Sequence, residues 1–335
     1  MKHFDEAVRL SRRGAQWSAL WCGLAGSAAA WAAAPVYHIE AIPIQNGVTP
    51  TKAYGINSHG DVVGTGYGTG MPVCFKYVAG VVSELPNSYE GACTSINDAG
   101  DVVGVVYINN KPRGAAWPAS GSGRVLLPMN SAWAVNSLGQ IAGQADFDGA
   151  QHAAVWQNGA LTDLGTLGGP ASSAIRLTDS GKVVGFADNA EGHSVPAAWE
   201  NGEVQEVCRY DGASHTSVYD VNENGQLLCL AVVGSNQFAF IEDGSGQHVI
   251  PPFKTFGMYG RGLNDHGEVV GMMFAPQQAF YSNGKKTFKL ESLLDNKGKW
   301  QALRDASAIN NAGQIVGTGK LGRKDTAFIA TPVTR

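Results

Sequence analysis

The chain has 335 residues, with 24 Lys or Arg and 28 Asp or Glu, which gives a formal net charge of −4. This mildly acidic balance argues against nucleic acid or an anionic membrane as a partner, because both attract basic surfaces. Length alone would suggest two domains, but a repeat array described below explains the length better.

Residues 1–34 have the pattern of an export signal. Arginines precede an apolar stretch from Trp17 to about Ala30, and small residues offer an Ala-x-Ala cleavage site ending at Ala32. The apolar stretch is too short for a good membrane span. We therefore expect an exported protein, periplasmic or extracellular, without a membrane span. Removing 1–34 takes away four basic and two acidic residues and leaves a net charge of −6.

A nine-residue phrase recurs seven times in the rest of the chain. Its clearest copy is INNAGQIVG, and successive copies begin 40, 39, 42, 44, 42 and 46 residues apart. A fixed period of this size indicates a repeat architecture. The copies begin at Ile56, Ile96, Val135, Leu177, Val221, Leu263 and Ile309.

Each copy of the phrase predicts a tight β-hairpin. The second residue is Asn in six copies and Thr178 in the fourth, and an Asn side chain can accept a backbone hydrogen bond within a turn. Three residues later every copy has Gly, which suits a turn closed by a left-handed residue. The acidic stretch NDAGD in the second copy raises the alternative of a calcium loop. No copy has the alternating acidic ligands of such a loop, so we expect no bound metal.

Each period also contains a second hairpin, marked by Asn-Gly or Asp-Gly at Asn158, Asn201, Asp243 and Asn283. One period therefore holds four short strands, which we name a, b, c and d in chain order. Four strands in about 40 residues is the size of a propeller blade. We predict an all-β fold over residues 35–335: a seven-bladed β-propeller with four antiparallel strands per blade.

The two ends of the array predict how the ring closes. The last period has strands a, b and c but no d, whereas an extra strand, residues 37–44, precedes the first phrase. We expect this strand to pair with the last c strand, AFIATPV at residues 327–333, because closure removes exposed sheet edges.

Four cysteines of the mature chain fall into two local pairs, Cys74 with Cys93 and Cys208 with Cys229. An even number in an exported chain favours disulfides, each worth roughly 3 kcal/mol. Buried free thiols are the alternative, since Cys is a common core residue. The spacing matches no zinc motif, and we expect no cofactor.

Small and large residues alternate along the a strands that line the predicted channel, which predicts that neighbouring blades cover both faces. Arg176 and Asp220, in adjacent blades, interrupt the small positions on the channel side. They are candidates for an ion pair near the axis or, alternatively, for a catalytic role.

The chain carries no recognisable catalytic motif, whether a nucleophile elbow, a phosphate-binding Gly loop or a zinc-protease helix. We therefore look to the loops, where rigid scaffolds usually carry function. Three longer loops in blades 4 to 7 place aromatic and basic residues at one rim, a composition suited to recognition. The alternative is that these side chains pin the loops to the ring. The candidate binding residues are Arg209, Tyr210, Phe256, Tyr259, Arg261, Trp300 and Arg304.

The repeats resemble the HAF family of extracellular repeat proteins. The third unit is the nearest to the family pattern, with HAAVW at residues 152–156 and LGTLGG at residues 164–169. The resemblance covers about residues 37–335. It implies an exported, propeller-like module and transfers no catalytic residue.

Three functions follow from these observations. The first is a monomeric binding module for a small molecule, glycan or protein ligand at the rim or channel mouth. The second is an enzyme, a lyase or hydrolase acting on a polysaccharide, peptide or secondary metabolite, with His215, Asp220, Arg176 and Arg261 as candidate catalytic residues. The third is a structural surface component.

Overall fold

A computed structural model describes residues 34–252 and 257–333 of the chain. These residues form seven four-stranded antiparallel sheets, so the predicted seven-bladed β-propeller is confirmed. The predicted export signal lies outside the described residues except for residue 34. Among the described residues no helix is long and apolar enough to cross a membrane.

Blades 1 to 6 each use four consecutive strands, and blade 7 combines the last three strands with the first. The strands of the first three blades are β2 (Val48–Ile56), β3 (Val62–Gly68), β4 (Met71–Val78) and β5 (Val81–Glu84); β6 (Ala92–Ile96), β7 (Val102–Ile108), β8 (Lys111–Trp117) and β9 (Val125–Leu126); and β10 (Ser131–Val135), β11 (Ile141–Phe147), β12 (Ala150–Gln157) and β13 (Ala160–Asp163).

The next three blades follow the same a-to-d order: β14 (Gly168–Leu177), β15 (Val183–Asn189), β16 (Ser194–Glu200) and β17 (Glu203–Glu206); β18 (His215–Val221), β19 (Leu227–Val233), β20 (Asn236–Asp243) and β21 (Gly246–Val249); and β22 (Met258–Leu263), β23 (Val269–Met273), β24 (Gln278–Ser282) and β25 (Thr287–Lys289). A 3-10 turn, Leu290–Leu293, then leads to blade 7, which consists of β26 (Trp300–Ile309), β27 (Ile315–Leu321), β28 (Lys324–Pro332) and β1 (Tyr37–Ala41).

The first strand closes the ring as predicted. β1 runs antiparallel to β28, with Tyr37 opposite Pro332 and Ala41 opposite Phe328. The strand is shorter than the predicted residues 37–44, because Pro43 has no N–H with which to continue the ladder. The two ends of the array are thus held in one sheet, in which β1 is the fourth and outermost strand of blade 7 and covers the edge of β28.

The repeated phrase forms the predicted hairpin between strands a and b of every blade. Its first Gly has a positive φ in all seven copies, between 72° and 91°, a conformation that Gly adopts without strain. In the six copies with Asn, the side-chain oxygen accepts the backbone N–H four residues later, at 2.8 to 3.0 Å. The Asn therefore caps its own turn.

The same Asn side chains also join the blades to one another. In each of the six copies the amide Nδ2 donates to the backbone oxygen at the equivalent position of the next blade, at 2.9 to 3.2 Å. Each of these Asn residues is at most 7% exposed. We call this circle of contacts the amide belt. Its donors are Asn57, Asn97, Asn136, Asn222, Asn264 and Asn310.

The amide belt lacks one link, between blades 4 and 5. Thr178 takes the place of Asn there. Its side chain has no amide N–H₂ group that could donate to the Asn222 carbonyl. Its Oγ1 instead accepts from Lys182 N at 3.0 Å, which keeps the cap of its own turn. Asp179 N donates to the Glu223 carboxylate of the next blade at 3.0 Å.

Disulfides join two of the blade pairs. Cys74 of β4 is bonded to Cys93 of β6, with a Cα–Cα distance of 5.6 Å, and Cys208 is bonded to Cys229 of β19, with 5.7 Å. The second disulfide spans blades 4 and 5, where the amide belt is interrupted. The hydrophobic core is likewise divided among the blade interfaces, and one cluster around the first disulfide packs Val63 of blade 1 against Val102 and other residues of blade 2.

The gap in the amide belt gives a stability prediction. Thr178→Asn would keep the turn cap and add the missing amide donor opposite the Asn222 carbonyl. We expect the free energy of unfolding to rise by about 0.5–1.5 kcal/mol, the usual net value of a protein hydrogen bond. Denaturant unfolding of the disulfide-intact protein measures it.

Asn264→Ala is the matched control for that experiment. It removes the bridge to Asn310 and leaves the N–H of Glu268 without its cap, so we expect a loss of roughly 1–3 kcal/mol. An unchanged or lower stability of Thr178→Asn would show that the amide belt does not stabilise the contact between adjacent blades.

Candidate functional site

Every a strand carries a one-residue bulge close to its end. The register against strand b shifts by one residue in all seven blades. A bulge re-aims a side chain and breaks the two-residue alternation, so the simple alternation predicted for these strands does not hold there. The bulged residues are Tyr54, Thr94, Trp133, Ile175, Tyr219, Arg261 and Ser307.

Six of the seven bulged residues, all but Ile175, line a cavity of about 680 Å³ at one mouth of the channel. This mouth lies where the d-to-a and b-to-c loops meet, as the strand order predicted. Its volume falls in the range of small-molecule sites. The aromatic, basic and acidic residues of its lining are Tyr54, Trp133 and Tyr219; Lys52, Arg176, Arg261 and Arg304; and Asp305 and Asp325.

Arg176 and Asp220 form the ion pair that was one of their two predicted roles. Arg176 Nε lies 3.4 Å from Asp220 Oδ1. Asp220 Oδ2 accepts from Leu263 N of blade 6 at 2.9 Å, and Oδ1 accepts from Val221 N at 3.0 Å. Burial raises the pKa of Asp220, against the opposing effect of Arg176 and these N–H groups. Asp220 therefore ties blade 5 to blade 6 and holds Arg176 at the cavity wall.

Two further Arg–Asp pairs lie on blades 6 and 7. Arg304 Nη1 is 3.0 Å from Asp325 Oδ1. Arg261 Nε is 3.8 Å from Asp305 Oδ1, which is too long for a hydrogen bond, and neither atom has another partner in the described part of the chain. Burial raises the pKa of Asp305, and the nearby cations Arg261 and Lys52 oppose that rise.

A chain of aromatic edges supports the cavity wall on blades 5 and 6. Tyr219 and Tyr259 meet edge to face with ring centroids 6.0 Å apart, and Tyr259 meets Phe274 at 4.8 Å. Burial, followed by Tyr259, raises the pKa of Tyr219. Tyr219 is therefore a neutral hydroxyl at physiological pH, held in place by rings behind it.

Some of the predicted site residues meet at this mouth. Arg176, Arg261 and Arg304 line the cavity. Asp220 lies directly behind Arg176, and Tyr259 lies behind Tyr219. These residues come from both the predicted catalytic and the predicted binding set.

Other predicted residues lie elsewhere. The Arg209 side chain is 79% exposed and 3.8 Å from Glu206, and His215 is exposed and bonded to Ser217 at 2.9 Å; neither lines the cavity. Tyr210 packs against Phe238 and Phe240.

One predicted binding residue on the remaining loops, Trp300, is not available at the rim. Trp300 is only 6% exposed and packs against Phe328 with ring centroids 5.9 Å apart. It anchors the start of β26, the packing role that was the alternative for loop aromatics. Phe256 lies outside the described residues.

The sequence contained a signal for the bulged residues that the loop-based prediction missed. The phrase ends in Gly in six copies, and each of these glycines lies in strand b opposite the residue that precedes the bulge. A Cβ added at Gly64 would overlap the Lys52 carbonyl oxygen, and one at Gly317 the Asp305 carbonyl oxygen. An isolated Gly in a strand often marks a bulge or a close approach of backbones.

The opposite mouth of the channel is acidic. A shallower cavity of about 340 Å³ there is lined by the a-to-b turns. The carboxylates of this mouth accept backbone N–H groups from the preceding blade at 2.8 to 3.0 Å. These acids are thus engaged in joining blades. They are Asp98, Asp179, Glu223 and Asp265.

A patch of exposed aromatic residues lies on the same end of the ring as the larger cavity, over blades 1 and 2. Tyr67, Tyr89 and Tyr107 are each more than half exposed. Tyr67 lies opposite Pro72 in the sheet, and Pro72 O accepts from the residue after Tyr89 at 3.0 Å. The loop that carries Tyr89 is held at one end by the Cys74–Cys93 disulfide and by the buried Ser88, whose hydroxyl accepts from Cys74 N.

No protein-family model matches the chain, and no curated protein matches it. Among solved structures, the β-propeller domain of the Trilobed protease from Pyrococcus furiosus, described as having an open velcro topology, aligns with a TM-score of 0.58 at 10% identity, over 90% of this chain and 98% of that one. A catalytically inactive virginiamycin B lyase from Staphylococcus aureus, solved with Quinupristin, aligns with a TM-score of 0.55 at 13% identity, over 89% and 100%.

TolB from Acinetobacter baumannii aligns with a TM-score of 0.49 at 13% identity, over 82% of this chain and 64% of its own. At such identities these likenesses show the fold alone. The likenesses to the Trilobed protease domain and to the virginiamycin B lyase place the chain among β-propellers.

The raised pKa of Asp305 gives a pH prediction. Because the folded state binds this proton more readily than the unfolded state, Asp305 favours folding most below its ordinary pKa, and that contribution is lost as the pH rises through the folded value. We expect the stability of the wild type relative to Asp305→Asn to fall from acid towards neutral pH.

Denaturant unfolding of both proteins across that range measures the difference. The same series with Asp325→Asn is the control, since Asp325 is half exposed. A wild-type advantage that grows from acid to neutral pH would mean that Arg261 and Lys52 outweigh burial at Asp305.

Proposed function

We propose that this protein is an exported propeller that binds a ligand at the mouth formed by the bulged residues. The observation that supports it is convergence: six bulged side chains from different blades, Arg261 among them, line one cavity of about 680 Å³ together with three further cations. A cavity with a mostly preformed wall and a few directed polar groups is typical of ligand sites.

Export is part of this proposal. Two disulfides in one chain favour an oxidising compartment, the periplasm or the cell exterior. The predicted signal in residues 1–34 and the resemblance to HAF repeats agree with that location. We keep the HAF relationship as a proposal that rests on the repeat phrase.

The geometry favours binding over catalysis. Each of the three carboxylates in or behind the cavity wall lies beside an Arg, at 3.0 to 3.8 Å, and Asp220 also accepts two backbone N–H groups, so these acids already have structural partners. Among the described residues no His lines the cavity. A lyase or hydrolase at this mouth would therefore have to use an acid and a base other than His.

A ligand screen tests the proposal. The purified exported protein is mixed with a library of small molecules and oligosaccharides, and its thermal unfolding is followed. A true ligand raises the free energy of unfolding by roughly 2.7 kcal/mol at a hundredfold excess over its Kd. We expect hits whose effect is lost in Trp133→Ala.

Lys285→Ala is the matched control. Lys285 is exposed in the c-to-d turn of blade 6, next to the a-to-b turn at the acidic end, so its removal should leave every hit unchanged. Hits that persist in Trp133→Ala, or the absence of any hit, would count against a ligand site at this mouth. Turnover of a hit by the wild type would favour the enzyme instead.

A further inference from the structure

The charges at the mouth do not balance. Lys52, Arg176, Arg261 and Arg304 line the cavity, against the carboxylates of Asp305 and Asp325. Two positive charges remain unmatched in the lining, and one remains even when Asp220, which lies behind the wall, is counted. This local excess stands in a protein whose whole sequence is acidic.

Contacts within the described residues use only some of the donors of the three guanidinium groups. Arg176 donates from Nη1 to Ile175 O at 2.8 Å and lies against Asp220 through Nε. Arg304 uses Nη1 for Asp325. A guanidinium has five N–H donors, so contacts within the described residues occupy only part of each group. The three side chains are 34%, 38% and 35% exposed, in the order Arg176, Arg261 and Arg304.

Arg261 is the least satisfied of the three. Its Nε is shielded from solvent, and its nearest carboxylate atom, Asp305 Oδ1, is 3.8 Å away and equally without a hydrogen-bond partner in the described residues. A shielded donor without a partner costs free energy. An oxyanion that accepted from the outer edge of this guanidinium would use donors that the protein leaves free.

Aromatic faces accompany these donors. Tyr54, Trp133 and Tyr219 line the same cavity from blades 1, 3 and 5. Arg forks suit carboxylate and phosphate groups, which they bind through two parallel hydrogen bonds. Aromatic rings offer area for stacking and apolar contact. A ligand that satisfies both would carry an oxyanion on a planar or ring-shaped body.

We infer that the channel mouth binds a small organic anion, with its carboxylate or phosphate between Arg261 and Arg304 and its body against Trp133 and its aromatic neighbours. This inference rests on the proposed ligand site and names the chemical class of the ligand. Asp305, which lies beside Arg261 and next to Arg304 in sequence, opposes the anion and limits how tightly it is held.

Matched pairs of probes test the charge requirement. Benzoate is compared with benzamide, and phenyl phosphate with phenol, by calorimetry and thermal unfolding at fixed pH and ionic strength. We expect at least one anion to bind roughly tenfold more tightly than its neutral partner. This ratio corresponds to a difference in binding free energy of about 1.4 kcal/mol, which is comparable to one charge-assisted hydrogen bond. The two pairs separate a carboxylate site from a phosphate site.

Four substitutions in the cavity lining test the placement, and a fifth, outside it, serves as the control. Arg261→Ala and Arg304→Ala should each weaken the anion by roughly tenfold or more, while Asp305→Asn should tighten it because a repelling charge is removed. A gain of affinity cannot come from misfolding. Arg261→Lys keeps the charge and should recover only part of the affinity, since Lys lacks the planar fork. Lys285→Ala should leave binding unchanged.

Several outcomes would overturn the inference: equal affinity for charged and neutral partners, anion binding indifferent to Arg261→Ala and Arg304→Ala, or no binding of either anion up to its solubility limit. A neutral ligand from the screen that is lost in Trp133→Ala would leave the proposed site standing while refuting the anion. The absence of any ligand sensitive to Trp133→Ala would refute both.

Discussion

The amide of one repeated Asn holds this ring together. Its oxygen caps the hairpin to which it belongs, and its nitrogen bonds to the same position of the next blade. Because a buried amide has to satisfy both groups, the turn and the blade spacing are fixed by one side chain. The same bond in six copies of the repeat holds the a-to-b turns of neighbouring blades at equivalent positions along the channel axis. The bulged residues lie three positions before the repeated residue, in the a strands, and six of the seven consequently line one shared cavity.

The single gap in this belt lies at an interface that a disulfide and an ion pair also cross. Between blades 4 and 5, Thr178 supplies no bridge, but the Cys208–Cys229 disulfide and the Arg176–Asp220 pair cross the same boundary. The covalent link restricts separation of the blades, and the ion pair joins the partly exposed Arg176 to the mostly buried Asp220 across the same boundary. At this interface the Asn bridge of the other blades is therefore absent, and the Arg176–Asp220 pair, which holds Arg176 at the cavity wall, is present instead.

Much of the fold could be predicted from the sequence because its determinants are local. Turn Gly, turn Asn and the period need only neighbouring residues, and the unpaired first strand follows from counting. The second bond of each Asn could not be predicted, since its acceptor lies about 40 residues away. Site prediction looked at loops, and loop residues such as Trp300 and Tyr210 turned inward to pack. Tyr54 and Trp133 were missed because a bulge changes the direction of a side chain without changing the strand pattern.

The seven copies also serve as an internal comparison of structural and variable positions. The residue before each bulge is small or β-branched and buried in every blade, because the next blade packs against it. The bulged residue is different in kind from blade to blade: two Tyr, one Trp, one Arg, one Ile, one Thr and one Ser. Blade packing does not constrain this position, so it is free to carry chemistry. The acidic mouth lacks this freedom, since its carboxylates already bind backbone N–H groups. A ligand therefore has chemical variety to meet at only one end of the channel, the end where the Arg groups retain free donors.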